Sequence, residues 1–91
     1  MTYKELEDLV KKYGVDPKSV GFHYDGQQET YYSFKYSDNL FIANRDPKPM
    51  DDMWEVVVSM PHKKDTWSHS SFIKTCELKD YADLCLKMWS A

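Results

Sequence analysis

At 91 residues, with 42 % hydrophobic and 15 % aromatic content, the chain holds material for one domain with one core, which excludes a multidomain architecture and intrinsic disorder. A net charge of −3 is too balanced for a DNA mimic and of the wrong sign for a general nucleic-acid binder; it suits a soluble protein that meets a neutral or basic partner. No apolar run approaches the roughly 18 residues of a membrane span, and the charged start from Met1 to Asp8 carries no apolar signal region, so the expected location is the cytoplasm.

The first helix is marked at both ends. Thr2 and Glu5 have capping-box spacing, Glu5, Glu7 and Asp8 lie near the positive end of the helix dipole, and Lys11 and Lys12 lie near its negative end. Leu6, Leu9, Val10 and Tyr13 follow an i, i+3, i+4, i+7 pattern, and Gly14 supplies the left-handed residue after the last turn, with Val15 as its apolar partner. Asp16-Pro17-Lys18-Ser19 reads as a single turn or tight loop.

Phe22-His23-Tyr24 is extended, and Asp25-Gly26 is a hairpin signal. From Glu29 to Tyr36 the pattern alternates: Thr30, Tyr32, Phe34 and Tyr36 share one face, and Tyr31, Ser33 and Lys35 the other. After the turn residues Ser37-Asp38-Asn39, Leu40–Asn44 is apolar on both sides, which predicts a central strand. Residues 22–44 thus form a three-stranded meander. The prolines Pro47 and Pro49 make residues 45–52 a loop. Trp54–Met60 is the fourth strand, with Trp54, Val56, Val58 and Met60 on one face, and Trp67–Cys76 is an extended fifth segment.

The last helix runs from Leu78 to Trp89. Tyr81, Cys85, Met88 and Trp89 line one side, Leu78, Ala82 and Leu84 widen it, and Leu86 falls near the opposite edge. An arc this broad predicts cover on more than one side, and a second copy of the chain is one occupant that could supply it. The whole reads as a two-layer α+β fold, α-β-β-β-β-β-α, in which an antiparallel sheet of four to five strands carries both terminal helices on one face.

Chemical equipment is sparse. The pairing of His62, Asp65 and His69 is the one grouping of metal-ligand types in a short span, and its spacing is not diagnostic, so a solvated polar loop outweighs a metal centre. The glycines Gly14, Gly21 and Gly26 are scattered at turns rather than gathered in a phosphate loop. Cys76 and Cys85 match no zinc pattern and read as free thiols. No cofactor fingerprint or nucleophile motif is present, and the expectation is a non-enzymatic chain without cofactor.

What is left over is hydrophobic and acidic. Tyr31, Val57, Trp67 and Leu86 have no place in a one-faced core, and Asp46, Asp51 and Asp52 form an acidic rim. Tyr31 and Trp67 as anchors, Lys35 beside them, and the three aspartates as steering charges describe a protein-binding module. A stoichiometric inhibitor acting by occlusion, such as an immunity protein or a phage-encoded blocker of a host enzyme, fits this description. Two alternatives are weighed against it: a single-stranded nucleic-acid or nucleotide binder using Tyr31, Lys35 and Lys63, disfavoured by the negative charge, and a small metal-dependent enzyme.

Overall fold

A computed structural model of the chain describes residues 2–25, 28–45, 53–61 and 66–91, the side chains at 24, 25, 28, 29, 61 and 66–68 excepted. Helix α1 spans Tyr3–Lys12 and helix α2 Leu78–Trp89. Between them run β1 (Gly21–Asp25), β2 (Gln28–Tyr36), β3 (Asn39–Asn44), β4 (Met53–Pro61) and β5 (Thr66–Lys74). Short 3₁₀ turns at Pro17–Ser19 and Thr75–Glu77 connect the helices to the sheet.

The local signals act as their chemistry dictates. The Thr2 hydroxyl accepts from the Glu5 amide at 3.2 Å while the Glu5 carboxylate accepts from the Thr2 amide at 3.2 Å, so the capping box is closed. At the other end, Gly14 stands at φ +83°, the Val15 amide donates to the Val10 carbonyl at 2.9 Å, and the Gly14 amide to Lys11 at 3.1 Å. That is the Schellman arrangement, which satisfies carbonyls that a helix end leaves bare. Asp16 caps the following turn by accepting from the Lys18 amide at 2.9 Å. Of the turn expected at Asp25-Gly26, Asp25 ends β1 and Gly26 lies outside the described residues, as do residues 46–52 of the loop expected at 45–52.

All four strand pairings are antiparallel and sequential, in the order β1-β2-β3-β4-β5, with β3 at the centre. The connections are short enough that each strand pairs with the next one made. Register fixes which side chains share a face. Tyr32 pairs with Ala43 and Phe34 with Phe41; Ala43 pairs with Val56 and Phe41 with Val58; Trp54 pairs with Ile73. This is the face that the two helices cover. Phe34 and Phe41 stack with centroids 4.6 Å apart, and Tyr32 stacks on Trp54 at 5.2 Å across the small side chain of Ala43. From the helices come Leu6, Leu9 and Val10 of α1 and Leu78, Ala82 and Leu86 of α2, all buried in the same single core. Complete burial of a side chain such as Leu6 or Leu86 contributes about 2 kcal/mol each, which is what holds helices too short to persist alone.

Helix α2 is rotated relative to the sequence expectation. Leu86 is fully buried, whereas Leu84 and Met88 are 53 % and 64 % exposed. The reason lies in its polar flank. Asp83 accepts from the Tyr13 hydroxyl at 2.7 Å and lies 3.9 Å from the Lys12 ammonium, and Lys79 lies 3.5 Å from Glu5. Lys79 and Asp83 thus reach toward α1 from a solvent-exposed flank of α2, and the seam against the sheet falls on Leu78, Ala82 and Leu86. The second side of cover is α1, and Leu86 and Trp89 are used within the chain. Trp89 meets Phe34 edge-on at 6.3 Å and donates its indole N–H to the Met60 sulfur at 3.3 Å. At the start of the helix, buried Trp54 donates from Nε1 to Thr75 Oγ1 at 3.0 Å, tying β4 to the turn that launches α2.

Candidate functional site: the open face of the sheet

The opposite face of the sheet carries no layer among the described residues. Its side chains fall in three rows across the strands. The first is His23, Tyr31, Asn44, Glu55 and Phe72; the second Gly21, Ser33, Ile42, Val57 and Ser70; the third Lys35, Leu40 and Ser59. Leu40, Ile42 and Val57 make an aliphatic centre, half-buried by their own neighbours. Tyr31 borders it on the β2 side and Phe72, 63 % exposed, borders it on the β5 side. An aliphatic centre flanked by aromatics and rimmed by polar groups is the composition that interfaces share.

The predicted residues divide on this map. Tyr31 and Lys35 are on the open face as expected, Tyr31 half-buried and Lys35 exposed. They stand four positions apart on β2, about 13 Å at the rise of a strand. Tyr31 also has a structural task. A Cβ built on Gly21 would lie 3.8 Å from its ring, so the ring lies across the glycine of the neighbouring strand. The backbone of Trp67 pairs with Met60, and its side chain lies outside the described residues. Asp46, Asp51 and Asp52 lie outside the described residues. The chain leaves β3 at Asn44 and enters β4 at Met53, so this connection departs from the end of the sheet that holds the row with Tyr31 and Phe72.

Phe72 is the residue that sequence reasoning missed as a surface group. The signal was there: Phe72 and Ile73 are adjacent in a strand, so they cannot both be inside. Ile42 and Leu40 are the same case in β3, opposite Phe41 and Ala43.

The residues of the two other readings are described only in part. Of the stacking platform, Tyr31 and Lys35 share the face, Lys63 lies outside the described residues, and Glu55 sits between Tyr31 and Phe72 in their row. Of the metal grouping, His62 and Asp65 lie outside the described residues, and His69, at an exposed position, shares a hydrogen bond with Ser71 Oγ at 2.9 Å. Among the described residues no group of three or more His, Cys, Asp or Glu gathers as metal ligands would. A hollow of about 470 Å³ at the β1–β2–β3 corner, lined by Gly21, Phe22, His23, Thr30, Tyr31 and Asn44, opens broadly to solvent. Both cysteines are free; Cys76 is exposed and Cys85 half-buried, and burial pushes the Cys85 thiol up to about 11. Among the described residues no helix is long and apolar enough to cross a membrane.

No protein-family model matches the chain, and neither a curated protein nor a solved structure matches it.

Proposed function

We propose that the chain is a non-enzymatic protein-binding module that docks a partner on the open face of its sheet and acts by occlusion, as a stoichiometric inhibitor does. The observation that supports this reading is the aliphatic centre of Leu40, Ile42 and Val57 between Tyr31 and Phe72, on a face that no element of the described chain covers. A sheet that needs only to fold has no use for apolar groups on its wet side, and alternation would place polar ones there. Tyr31 and Phe72 act as anchors. Lys35 adds a charge beside the anchors, and the acidic residues Asp46, Asp51 and Asp52 of the sequence steer a basic partner and speed its approach.

The test is affinity capture from the cells that make the protein, followed by calorimetry on the purified partner. Binding at one partner per chain is expected, and Tyr31→Ala and Phe72→Ala should each weaken it by roughly 30-fold, the equivalent of a hot-spot loss of about 2 kcal/mol. Phe72→Ala removes a mostly exposed side chain and leaves the core intact, so its effect is not a folding defect. Unchanged affinity in both variants removes the open face as the binding surface.

A further inference from the structure

The two edges of the sheet are β1 and β5, and they are built differently. β1 is five residues long and its register shifts between His23 and Tyr24. A short, bulged edge is a poor template for another strand. β5 is nine residues long and pairs with β4 in unbroken register. It contains no proline or glycine, and no Asp, Glu, Lys or Arg before Lys74 at its last position. Among the described residues nothing pairs with its outer side. A long, regular, uncharged edge is the kind that natural sheets otherwise blunt.

Apolar groups flank this edge in both layers. Phe72 stands on the open face. In the helical layer, Leu84 and Met88 are exposed on the flank of α2 turned away from Lys79 and Asp83. Those two residues touch α1, which packs on the β1–β2 side, where Tyr3 meets Phe22 at a tilt with centroids 4.0 Å apart. At about 100° of rotation per residue, Leu84 and Met88 therefore lie on the flank of α2 away from α1, and α2 itself touches β5.

We propose that the free edge of β5 is a self-association surface, on which a second copy of the chain pairs β5 with β5 antiparallel about a two-fold axis at Ser70, joining the two sheets into one. Self-pairing is favoured over a foreign strand because β5 is complementary to itself. Ser70 is the midpoint of Thr66–Lys74, so this register opposes the full length of the strand. It sets Lys74 against Thr66 and His69 against Ser71, and no two like charges meet. Small serines at and beside the axis let the backbones approach. Pairing of this length forms roughly eight to ten interchain N–H···O=C bonds, as many as a standard interface carries. The surface is separate from the open-face reading and does not rest on it.

Sedimentation equilibrium of the purified chain tests this at about 100 μM, above the micromolar range in which small interfaces dissociate. The wild type is expected at twice the 10.8 kDa of one chain. Ser70→Lys places two ammonium groups face to face and should weaken association at least about 100-fold; Ser70→Glu does the same with carboxylates. Because Ser70 is exposed, both variants keep the wild-type far-ultraviolet circular dichroism. An equimolar mixture of the two should regain the dimeric mass, which a folding defect would not allow. A wild type that stays at 10.8 kDa, a dimer untouched by Ser70→Lys, or a mixture that stays monomeric overturns the proposal.

Discussion

Leu84 and Leu86 are the same side chain two positions apart on α2, and the fold treats them oppositely. Leu86 is 0 % exposed in the core and Leu84 is 53 % exposed. Truncating Leu86 to alanine removes about three buried carbon groups, worth about 2.4 kcal/mol in transfer free energy at about 0.8 each. The cavity left among Leu78, Ala82 and the sheet adds to this, so the total is about 3–4 kcal/mol. A domain of this length has about 5–14 kcal/mol of total stability, so the variant stays folded with a melting temperature about 12–30 °C lower. Leu84→Ala should cost less than about 0.5 kcal/mol, as for a surface site. Urea denaturation read by tryptophan fluorescence measures both, with the Ser70→Lys substitution present in each chain so that self-association cannot contribute. The midpoint should fall for Leu86→Ala with an unchanged slope. A loss below about 1 kcal/mol at Leu86, or a larger loss at Leu84 than at Leu86, would refute the rotation of α2 and with it the exposure of Leu84 and Met88.

Three further outcomes are expected. Gly14→Ala, at φ +83°, should destabilise by about 1–2 kcal/mol, the cost of a Cβ in left-handed backbone; thermal melts that match the wild type would contradict the Schellman end of α1. Cys76 should react rapidly with a disulfide reagent at pH 8, while Cys85, half-buried and with its thiol pushed up to about 11 by burial, reacts more slowly; equal rates counted by mass spectrometry would deny that burial. The third concerns Tyr13, whose ionisation is raised by its hydrogen bond to Asp83, then by desolvation and the charge of Asp83. A phenol raised above its unfolded value of 10.0 adds stability that is complete below pH 10.0 and fades as pH rises through the folded value. The alkaline arm of the stability–pH curve should therefore flatten in Tyr13→Phe, and an identical arm in the two proteins would contradict the contact.

Much of this architecture can be read from residue patterns because the relevant interactions are local. Thr2 with Glu5, Gly14 with Val15, and the alternation of Tyr32, Phe34 and Tyr36 all act within a few positions. The helix-covered faces of β2 and β4 follow from period two alone. Two features resisted for physical reasons. The rotation of α2 depends on Asp83 and Lys79 finding Tyr13, Lys12 and Glu5 on a helix more than sixty residues away. Apolar residues surround so much of α2 that periodicity cannot rank Leu86 above Met88. The parity of β5 depends on its register with β4, since a one-residue slip exchanges its faces. That is why the segment alone does not say which of Phe72 and Ile73 lies on the open face. Among the anchors considered, Tyr31 was legible because its strand alternates cleanly.

The strictly sequential order of strands has a bearing on how the protein is made. Each strand can pair with its predecessor within microseconds of emerging, yet α2 is translated after all five. Between the synthesis of Trp54 and of Trp89 a ribosome working at about 5–20 residues per second takes roughly 2–7 s. Throughout that interval Tyr32, Phe34, Phe41 and Trp54 have only α1 to cover them. The nascent chain is thus a half-roofed sheet, a natural client for a holdase, and a stop codon that removes α2 would turn a transient hazard into a permanent one.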